Sequence, residues 1–518
     1  MRYRQTGRVS TVDSPAASTL TPRQVKTVFV GLMVSLLLSS LDTTIVATAL
    51  PTIAGNLGGL EHIAWVATAY LLTSTAATPL FGKLSDLYGR KALFRAAIVI
   101  FLVGSLLAGA SQSFFQLVMA RGVQGIGAGG LMAMAFVIIG DIVPPRQRGR
   151  YVGFLTSVFA FGSVTGPLIG GFFVDNLTWR WIFTVNIPIG IVAWFVTSVA
   201  LRIPFNRRPH KIDFAGAALL VAGVTSIILM TTWGGKEYAW GSPRIVALGI
   251  LGAVLVVAFC LWEQRAEEPI LPMRLFRNRV FTISVAMGFF IGSALYSSDS
   301  FLPLFLQAVT GASATRAGLL LTPLMAGVTV SAILSGRLTA RTGRYKHWPI
   351  LGGTLAVTGM VLLAQIHAGI SRGYVSLAMV ILGAGLGMTM PTMTLAVQNS
   401  VDWQDLGVAT SAVTFIRSLG GAVGLAAYGA VFGGRINRLA PELRRLVESP
   451  ASIKTLPHDQ HELVIHALAH AIQGVFVVAA PVMLVAWVIS FFMPELPLRD
   501  TSALDRSKSD LGTAPALH

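Results

Sequence analysis

Residues 82–91 read Gly-Lys-Leu-Ser-Asp-Leu-Tyr-Gly-Arg-Lys, a short basic stretch between two long apolar segments. Residues 336–344 read Gly-Arg-Leu-Thr-Ala-Arg-Thr-Gly-Arg and repeat its glycines and its arginine at an offset of 254 residues. The same offset places residues 153–170 over residues 407–424, with shared glycines and a shared Thr-Ser pair. Two matches at one offset indicate that the chain contains an internal duplication.

The composition around these motifs excludes a water-soluble globular protein. Of the 518 residues, 54% are hydrophobic and only 12% are charged, whereas soluble domains carry about 25% charged residues. Apolar runs of about 20 residues recur along the chain, each long enough to cross roughly 30 Å of hydrocarbon as a helix. We therefore predict an all-α polytopic membrane protein with fourteen transmembrane helices, at 27–50, 62–81, 92–111, 114–140, 150–174, 180–201, 212–233, 244–262, 280–309, 316–338, 348–368, 374–398, 406–432 and 466–493.

The duplication also predicts how the helices are grouped. The matching stretches 82–91 and 336–344 follow equivalent helices on the same side of the membrane, which indicates two parallel repeats related by an axis along the membrane normal. Each repeat has six helices, and helices 7 and 8 are an insertion. The predicted divisions are an N-tail at 1–26, an N-terminal bundle at 27–202, the insertion at 203–279, a C-terminal bundle at 280–498 and a C-tail at 499–518.

The distribution of basic residues predicts the orientation. The net charge is +17, and the basic residues collect between the apolar runs, mostly on the side of both tails. By the positive-inside rule both termini are cytoplasmic. The basic charge therefore reflects contact with a lipid bilayer and does not indicate nucleic-acid binding. The composition fits a bacterial plasma (inner) membrane. No Gly-x4-Gly-Lys-Ser/Thr loop is present, so ATP is not expected to drive the protein.

Four ionisable residues fall well inside the predicted spans: Asp42, Arg121, Asp299 and Arg417. A charge at the centre of a bilayer costs at least about 2.5–3.5 kcal/mol, so such residues face a cavity or a partner and commonly carry protons or substrates. Asp42 and Asp299 are candidate proton-coupling sites, with Arg121 and Arg417 as candidate coupling partners. The alternative is that the two acids form permanent salt bridges with the two arginines.

Polar residues near these charges predict a substrate cavity. Gln124 follows Arg121 by one helical turn, and Tyr296, Ser300 and Gln307 fall at helical spacing on predicted helix 9. These four side chains are candidate cavity residues. An ordinary polar seam between helices is the alternative interpretation. Because the spans offer few acids, monocationic, neutral or lipid-like substrates are favoured over dications.

The motifs together resemble the major facilitator superfamily, and specifically its fourteen-helix drug:proton antiporter branch. Residues 82–91 resemble the signature loop after helix 2. Residues 121–130 (Arg-Gly-Val-Gln-Gly-Ile-Gly-Ala-Gly-Gly) resemble its helix 4 motif, and 162–171 (Gly-Ser-Val-Thr-Gly-Pro-Leu-Ile-Gly-Gly) its exporter motif in helix 5. Residues 41–51 resemble the helix 1 motif of the branch. The sequence departs from the usual pattern at Leu87, where a basic residue is common, and at Ala47, where Asn is common.

The resemblance implies roles for two further groups of residues. It implies a cytoplasmic gate that stabilises the outward-open state, formed by Gly82, Asp86, Gly89, Arg90, Lys91 and Asp141. It also implies an antiporter motif in helix 5 formed by Gly162, Gly166, Pro167, Gly170 and Gly171. The alternatives are that the basic residues only orient the protein and that the glycines only permit close packing or a bend. For Arg121, the resemblance implies relay of the coupling proton, and a structural polar clamp is the alternative.

These observations favour a proton-driven secondary exporter of small amphiphilic drugs or antibiotics, working by alternating access, without a cofactor or a metal. An exporter of a specific metabolite or lipid on the same fold remains the alternative, because a fold does not determine its substrate. A membrane-embedded enzyme is disfavoured, since the spans contain no nucleophile–base pair and no cluster of metal ligands.

Overall fold

The computed structural model describes residues 21–57, 63–201, 212–235, 237–439 and 458–499, and these ranges are helical apart from short connections. The predicted all-helical fold is therefore confirmed. The predictions made for residues 1–20, 202–211 and 500–518 lie outside the described residues. The helices are α1 (Pro22–Leu57), α2 (Ala64–Tyr88), α3 (Arg90–Ala110), α4 (Phe114–Ile142), α5 (Pro145–Asn176), α6 (Trp181–Thr184), α7 (Asn186–Ala200), α8 (Phe214–Trp233), α9 (Pro243–Glu263), α10 (Arg279–Leu304), α11 (Ala314–Leu320), α12 (Thr322–Thr342), α13 (His347–Leu363), α14 (Arg372–Ser400), α15 (Leu406–Leu439) and α16 (His458–Phe491).

In the described part of the chain, twelve helical segments are long and apolar enough to cross a membrane. This establishes a multi-pass membrane protein, but the count of fourteen spans is not confirmed. The two predicted spans without support are α2 and α13. Thr and Ser side chains recur along α2 and lower its mean hydropathy, while α13 has only 17 residues and is classed with the shorter apolar helices.

The expectation that residues 82–91 form a loop is wrong. Helix α2 continues to Tyr88 and α3 begins at Arg90, so Gly89 alone separates the two helices. Gly89 has φ +91°, a backbone angle that a residue without a side chain adopts at little cost. The motif is therefore a rigid helical corner that holds Asp86 and Arg90 in fixed positions.

Two predicted spans are interrupted by a proline. The predicted helix 180–201 breaks after Thr184, because Pro188 has no N–H to donate to the Thr184 carbonyl oxygen. The predicted helix 316–338 breaks at Leu321, because Pro323 has no N–H to donate to the Leu319 carbonyl oxygen.

The end of α10 departs from regular α-helical geometry in another way. A π-helical turn, Phe305–Val309, follows directly and contains Gln307; such turns frequently occur at functional sites.

The helices that the duplication makes equivalent pack in equivalent pairs. In the N-terminal half α4 packs against α2 and α3, and α1 packs against α5; in the C-terminal half α14 packs against α12 and α13, and α10 packs against α15. Across the halves, α5 contacts α12 and α2 contacts α15. This pattern matches the expected parallel repeat. The residue boundaries proposed for the bundles remain predictions.

The inserted helices α8 and α9 pack on each other at the side of the two halves. Asp213 begins α8 by accepting a hydrogen bond from the Gly216 N–H at 2.8 Å. Among the described residues, only α8 of this pair makes extensive contact with other helices, namely α2 and α15. Helix α8 thus lies where the N-terminal and C-terminal halves meet.

Candidate functional site

Asp42 lies fully buried on α1 and is bound by two residues of α4. Its Oδ2 accepts a hydrogen bond from the Arg121 guanidinium at 2.5 Å, in an ion pair. Its Oδ1 accepts one from the Gln124 side-chain amide at 2.8 Å. Arg121 also donates to the side-chain amide oxygen (Oε1) of Gln124 at 2.7 Å. The structure therefore brings together three residues that the sequence proposed, and it realises the salt bridge that was the alternative for Asp42.

Two further polar residues enclose this ion pair, and the sequence analysis missed both. The Asn186 side-chain amide donates to Asp42 Oδ1 at 3.0 Å and to the Ser105 hydroxyl at 2.9 Å. Gln124 donates to the same hydroxyl at 2.7 Å. Asn186 is the first residue of α7, directly after the break in the predicted helix. Its only signal in the sequence was an amide in an otherwise apolar span.

Tyr70 of α2 covers the other face of the Arg121 guanidinium, which lies 4.1 Å from the centroid of the Tyr70 ring. A guanidinium is attracted to the face of an aromatic ring, most strongly when both are shielded from water. The Tyr70 hydroxyl lies 3.3 Å from the Ser39 hydroxyl and accepts a hydrogen bond from Thr43 at 3.4 Å. The cluster is thus built from five helices of one half, and Asp42 has a donor on each side.

Glycines in α3 and α4 make these contacts possible. A Cβ at Gly125 would lie 2.5 Å from the Tyr70 carbonyl oxygen, and a Cβ at Gly104 would lie 2.5 Å from the Gln124 backbone. Small residues let helices in a membrane approach closely. Gly125 therefore brings Tyr70 of α2 to the charged pair, and Gly104 brings Ser105 of α3 to it.

The C-terminal half does not repeat this arrangement. Asp299 and Ser300 are exposed on α10, and Tyr296 and Gln307 are half-buried. Arg417 on α15 is only 7% exposed. Within the described ranges, neither Asp299 nor Arg417 makes an ion pair or a hydrogen bond with another residue. The salt bridge proposed as the alternative for Asp299 is therefore absent.

Asp86, Arg90 and Asp141 meet at the predicted cytoplasmic end, as the resemblance implied. The Arg90 guanidinium donates to Asp141 Oδ2 at 2.7 Å and forms a second ion pair with Asp86. Asp86 Oδ2 accepts a hydrogen bond from the backbone N–H of Val408 at 3.0 Å, which joins α2 to α15 of the other half. We call Asp86, Arg90, Asp141 and Val408 the latch.

Asp86 lies on the last turn of α2, beyond the predicted membrane span 62–81. Burial raises the pKa of its carboxyl group from an ordinary value near 4 to about 6, although Arg90 opposes this shift by favouring the carboxylate.

Of the other predicted gate residues, Gly82 packs against Ser411 and Gly407 of the other half, and Gly89 forms the corner between α2 and α3. Lys91 is the exception. Within the described residues it makes no hydrogen bond or ion pair.

Other contacts close the two halves on this same side. Gln398 of α14 donates to the Phe136 carbonyl oxygen at 3.0 Å, and the fully buried Arg148 of α5 donates to the Gln398 carbonyl oxygen at 3.4 Å. The backbones of Gly149 and Gly336 approach so closely that a Cβ on Gly149 would lie 3.0 Å from the Gly336 carbonyl oxygen. The sequence analysis missed Arg148 and Gln398, because nothing local distinguishes them from other polar residues at helix ends.

The helix 5 motif packs α5 on α1 beside Asp42. Thr44 donates a hydrogen bond to the Gly162 carbonyl oxygen at 3.1 Å, and a Cβ on Gly162 or Gly166 would overlap the Ser40 or Thr44 hydroxyl. These two glycines therefore serve close packing. Pro167 lies within α5, near Gly318, and Gly170 is buried, but a Cβ on Gly171 would meet nothing within 4 Å, so packing does not explain that glycine.

Comparison with known proteins agrees with this architecture. Residues 32–425 match the profile of the Major Facilitator Superfamily. The chain belongs to the Major Facilitator Superfamily. It is 40% identical over 409 residues to the multidrug transporter protein MdtP of Bacillus subtilis, covering 79% of this chain and 75% of that protein. It is 33% identical over 508 residues to multidrug resistance protein 3 of the same organism, covering 94% of this chain and 99% of that protein.

A solved structure of the superfamily shows the same fold. The proton:xylose symporter XylE, at 14% identity, superimposes with a TM-score of 0.60 and covers 94% of this chain and 99% of that one. Members of the Major Facilitator Superfamily are transporters rather than enzymes. The buried Asp42 cluster and the latch therefore belong to a transport protein with relatives named as multidrug transporters.

Proposed function

We propose that this Major Facilitator Superfamily chain exports small amphiphilic drugs or antibiotics by proton-driven antiport. We further propose that it has fourteen membrane spans and lies in the plasma (inner) membrane of a bacterium with both termini in the cytoplasm. In this scheme the halves rock about a site near the middle of the bilayer. The observation that carries the proposal is the fully enclosed Asp42–Arg121 ion pair.

The geometry supports a proton cycle at Asp42. The carboxylate is balanced by Arg121, so a proton arriving at Asp42 would release the guanidinium from its charged partner. The freed Arg121 would remain between Gln124 and the Tyr70 ring. One proton that crosses about 100 mV supplies roughly 2.3 kcal/mol, and one pH unit adds about 1.4 kcal/mol. This sum supports a substrate gradient of a few hundredfold.

The latch supports a closed cytoplasmic end and an open opposite end in this state of the protein. The halves contact each other at the predicted cytoplasmic end through Asp86 and Val408. In this state substrate would leave towards the other side, and the latch would part when the protein returns to load substrate from the cytoplasm. A proton taken up from outside at Asp42 or at the exposed Asp299 would accompany that return.

The test is drug accumulation in efflux-deficient cells that express the wild type, Asp42→Asn or Asp299→Asn, with and without a protonophore. Asp175→Asn is the matched control, because Asp175 is an exposed acid at the far end of α5. We expect the wild type and the control to lower accumulation, the protonophore to abolish this, and Asp42→Asn to be inactive although inserted. If no drug is exported by any form, the multidrug proposal fails and export of a specific metabolite or lipid takes its place.

A further inference from the structure

Arg417 is a buried cation for which the described residues supply no hydrogen bond and no ion pair. It lies eleven residues beyond the start of α15 at Leu406, or about 16 Å along the helix, near the middle of a hydrocarbon layer of about 30 Å. Only 7% of the residue is exposed. An arginine cannot shed its proton in a protein, so a guanidinium at this depth requires either water or an anion beside it.

Comparison with Arg121 shows how unusual this is. Arg121 is buried to a similar extent, and it has a carboxylate, an amide oxygen, a backbone carbonyl and an aromatic ring around it. The acid that is available to the C-terminal half, Asp299, is exposed and forms no ion pair with Arg417. Asp42 is already bound to Arg121. The inner charges of the described spans therefore leave the positive charge of Arg417 uncompensated by any adjacent acid.

The Arg417 backbone is packed closely on α10, whereas its guanidinium is not fully enclosed. Its backbone and Cβ lie next to Gly292 and Gly288 of α10, where larger residues would meet it. One turn further along α15, the Tyr296 ring packs on Gly421. The guanidinium nitrogens of Arg417 are not among the fully enclosed polar atoms without a partner in the described residues, so they reach accessible space. A guanidinium beside an aromatic ring and glycines suits a ligand with an acidic group and an apolar body.

The duplication shows that this charge is particular to the C-terminal half. At the offset of 254 residues, Arg417 corresponds to Ser163 of the helix 5 motif, and Gly420 corresponds to Gly166. Both glycines pack their helix closely on the partner helix, Gly166 on α1 and Gly420 on α10. The packing is thus shared by the two halves, whereas the cation is not. Helix packing alone does not account for the arginine.

We propose that Arg417 binds the anionic group of the transported substrate, so that amphiphilic carboxylates belong to the substrate class. The proposal rests on the transport function proposed above and extends it beyond neutral and monocationic molecules. A guanidinium holds a carboxylate through two parallel N–H···O bonds, a geometry that a lysine does not reproduce. The half-buried Tyr296 ring provides a wall for the apolar body of the ligand.

The experiment compares three ligands with the same apolar body: naphthylacetate, naphthylethanol and naphthylethylamine. Binding to the full-length protein purified in detergent is measured by isothermal titration calorimetry, with titrations into empty micelles subtracted. The variants are Arg417→Gln, which removes the positive charge, and Arg417→Lys, which keeps the charge but lacks the planar guanidinium group. Arg438→Gln is the matched control, because Arg438 is an exposed arginine of the same helix.

We expect the wild type to bind the carboxylate at least about tenfold more tightly than the alcohol, as a charge-assisted hydrogen bond would give. Arg417→Gln should lose this preference while its affinity for the alcohol is unchanged, which also shows that the variant is folded. Arg417→Lys should keep part of the preference, and Arg438→Gln should keep all of it. The proposal is overturned if the wild type has no preference for the carboxylate, if Arg417→Gln retains it, or if Arg417→Gln loses all three ligands alike.

This result can be separated from the fate of the proposed transport function. The accumulation assay with a protonophore tests proton-driven export by the wild type with neutral drugs, whereas the carboxylate preference is measured by binding alone. If the wild type exports a neutral amphiphile and Arg417→Gln no longer prefers the carboxylate, both proposals stand. If the wild type exports nothing yet prefers the carboxylate through Arg417, only the proton-driven export fails.

Discussion

At the scale of single residues, the two buried arginines have different surroundings, which indicate a structural role for Arg121 and favour the proposed ligand binding for Arg417. Arg121 and Asp42 neutralise each other inside the N-terminal half, whereas Arg417 has no acid beside it. Removing one partner of a buried ion pair commonly costs about 3–5 kcal/mol, because the other charge stays buried without compensation. Asp42 therefore has a structural role whether or not it carries protons.

We predict that Asp42→Asn lowers the thermal midpoint of the purified protein and that the double variant Asp42→Asn/Arg121→Gln recovers much of the loss. The second change removes the charge that the first one leaves unpaired. Thermal unfolding followed by intrinsic fluorescence measures both effects. Transport should stay absent in the double variant, because neither a carboxyl group nor its cation remains. A double variant that unfolds no later than Asp42→Asn would contradict this account of the pair.

At the scale of helices, glycine spacing decides how near α4 lies to its neighbours. A Cβ on Gly125 would lie 2.5 Å from the Tyr70 carbonyl oxygen, a backbone atom that cannot move without moving α2. A Cβ on Gly122, almost one turn earlier, would lie 3.8 Å from the Thr73 methyl group, which is an ordinary contact. The two glycines look alike in the sequence, but only Gly125 is needed to place Tyr70 over Arg121.

We predict that Gly125→Ala reduces both export and thermal stability and that Gly122→Ala leaves both close to those of the wild type. Overpacking of this kind typically costs about 1–3 kcal/mol. Cell accumulation assays and thermal unfolding on the same preparations measure the two effects. Equal behaviour of the two variants would show that the approach of α2 to α4 does not limit the site.

At the scale of the whole molecule, the latch joins the two halves at one end. The Val408 N–H reaches Asp86 across the interface, and Ser411, which packs on Gly82, is only 1% exposed. Opening of this end exposes Ser411, so its accessibility reports the state of the latch. The chain has a single cysteine, Cys260, and a Cys260→Ser background therefore permits labelling at one chosen position.

We predict that Ser411→Cys in this background reacts slowly with N-ethylmaleimide and that adding Asp86→Ala accelerates the reaction severalfold. Alanine supplies no acceptor for the Val408 N–H and no partner for Arg90, whereas a protonated carboxyl group still accepts the hydrogen bond from Val408. Asp402→Asn, an exposed acid at the same end, is the control and should have no effect. Lys91→Gln should also have none, since Lys91 makes no polar contact among the described residues. Acceleration by Lys91→Gln would support its place in the gate.

The raised pKa of Asp86 predicts a pH dependence of the same reaction. Its carboxyl group has a pKa of about 6 in the closed latch and an ordinary value near 4 when the latch opens to water. The closed state therefore binds a proton more tightly and gains relative stability as the pH falls through 6. Labelling of Ser411→Cys, normalised to the unfolded protein, should slow about fourfold between pH 8 and pH 5.5. The Asp86→Ala variant should show no such change.

Local sequence patterns were sufficient to predict a polytopic membrane protein, its duplication and the charged residues inside its spans. In a bilayer every backbone polar group must be satisfied within its own helix, so spans appear as local apolar runs, and a charge inside a run is conspicuous. Asp42, Arg121, Gln124 and Arg417 could be proposed on these grounds, and Asp86 and Arg90 from the motif around them.

The packing of the helices in three dimensions determines which of these charges have partners. Asp42 meets Arg121 from 79 residues away, and Asn186 and Tyr70 reach the same site from other helices. Asp299 and Arg417 do not meet at all, although the sequence presented them as an equally plausible pair. Pairing depends on how each helix is rotated and on how closely glycines let it approach its neighbours. Neither property can be inferred from a local sequence pattern.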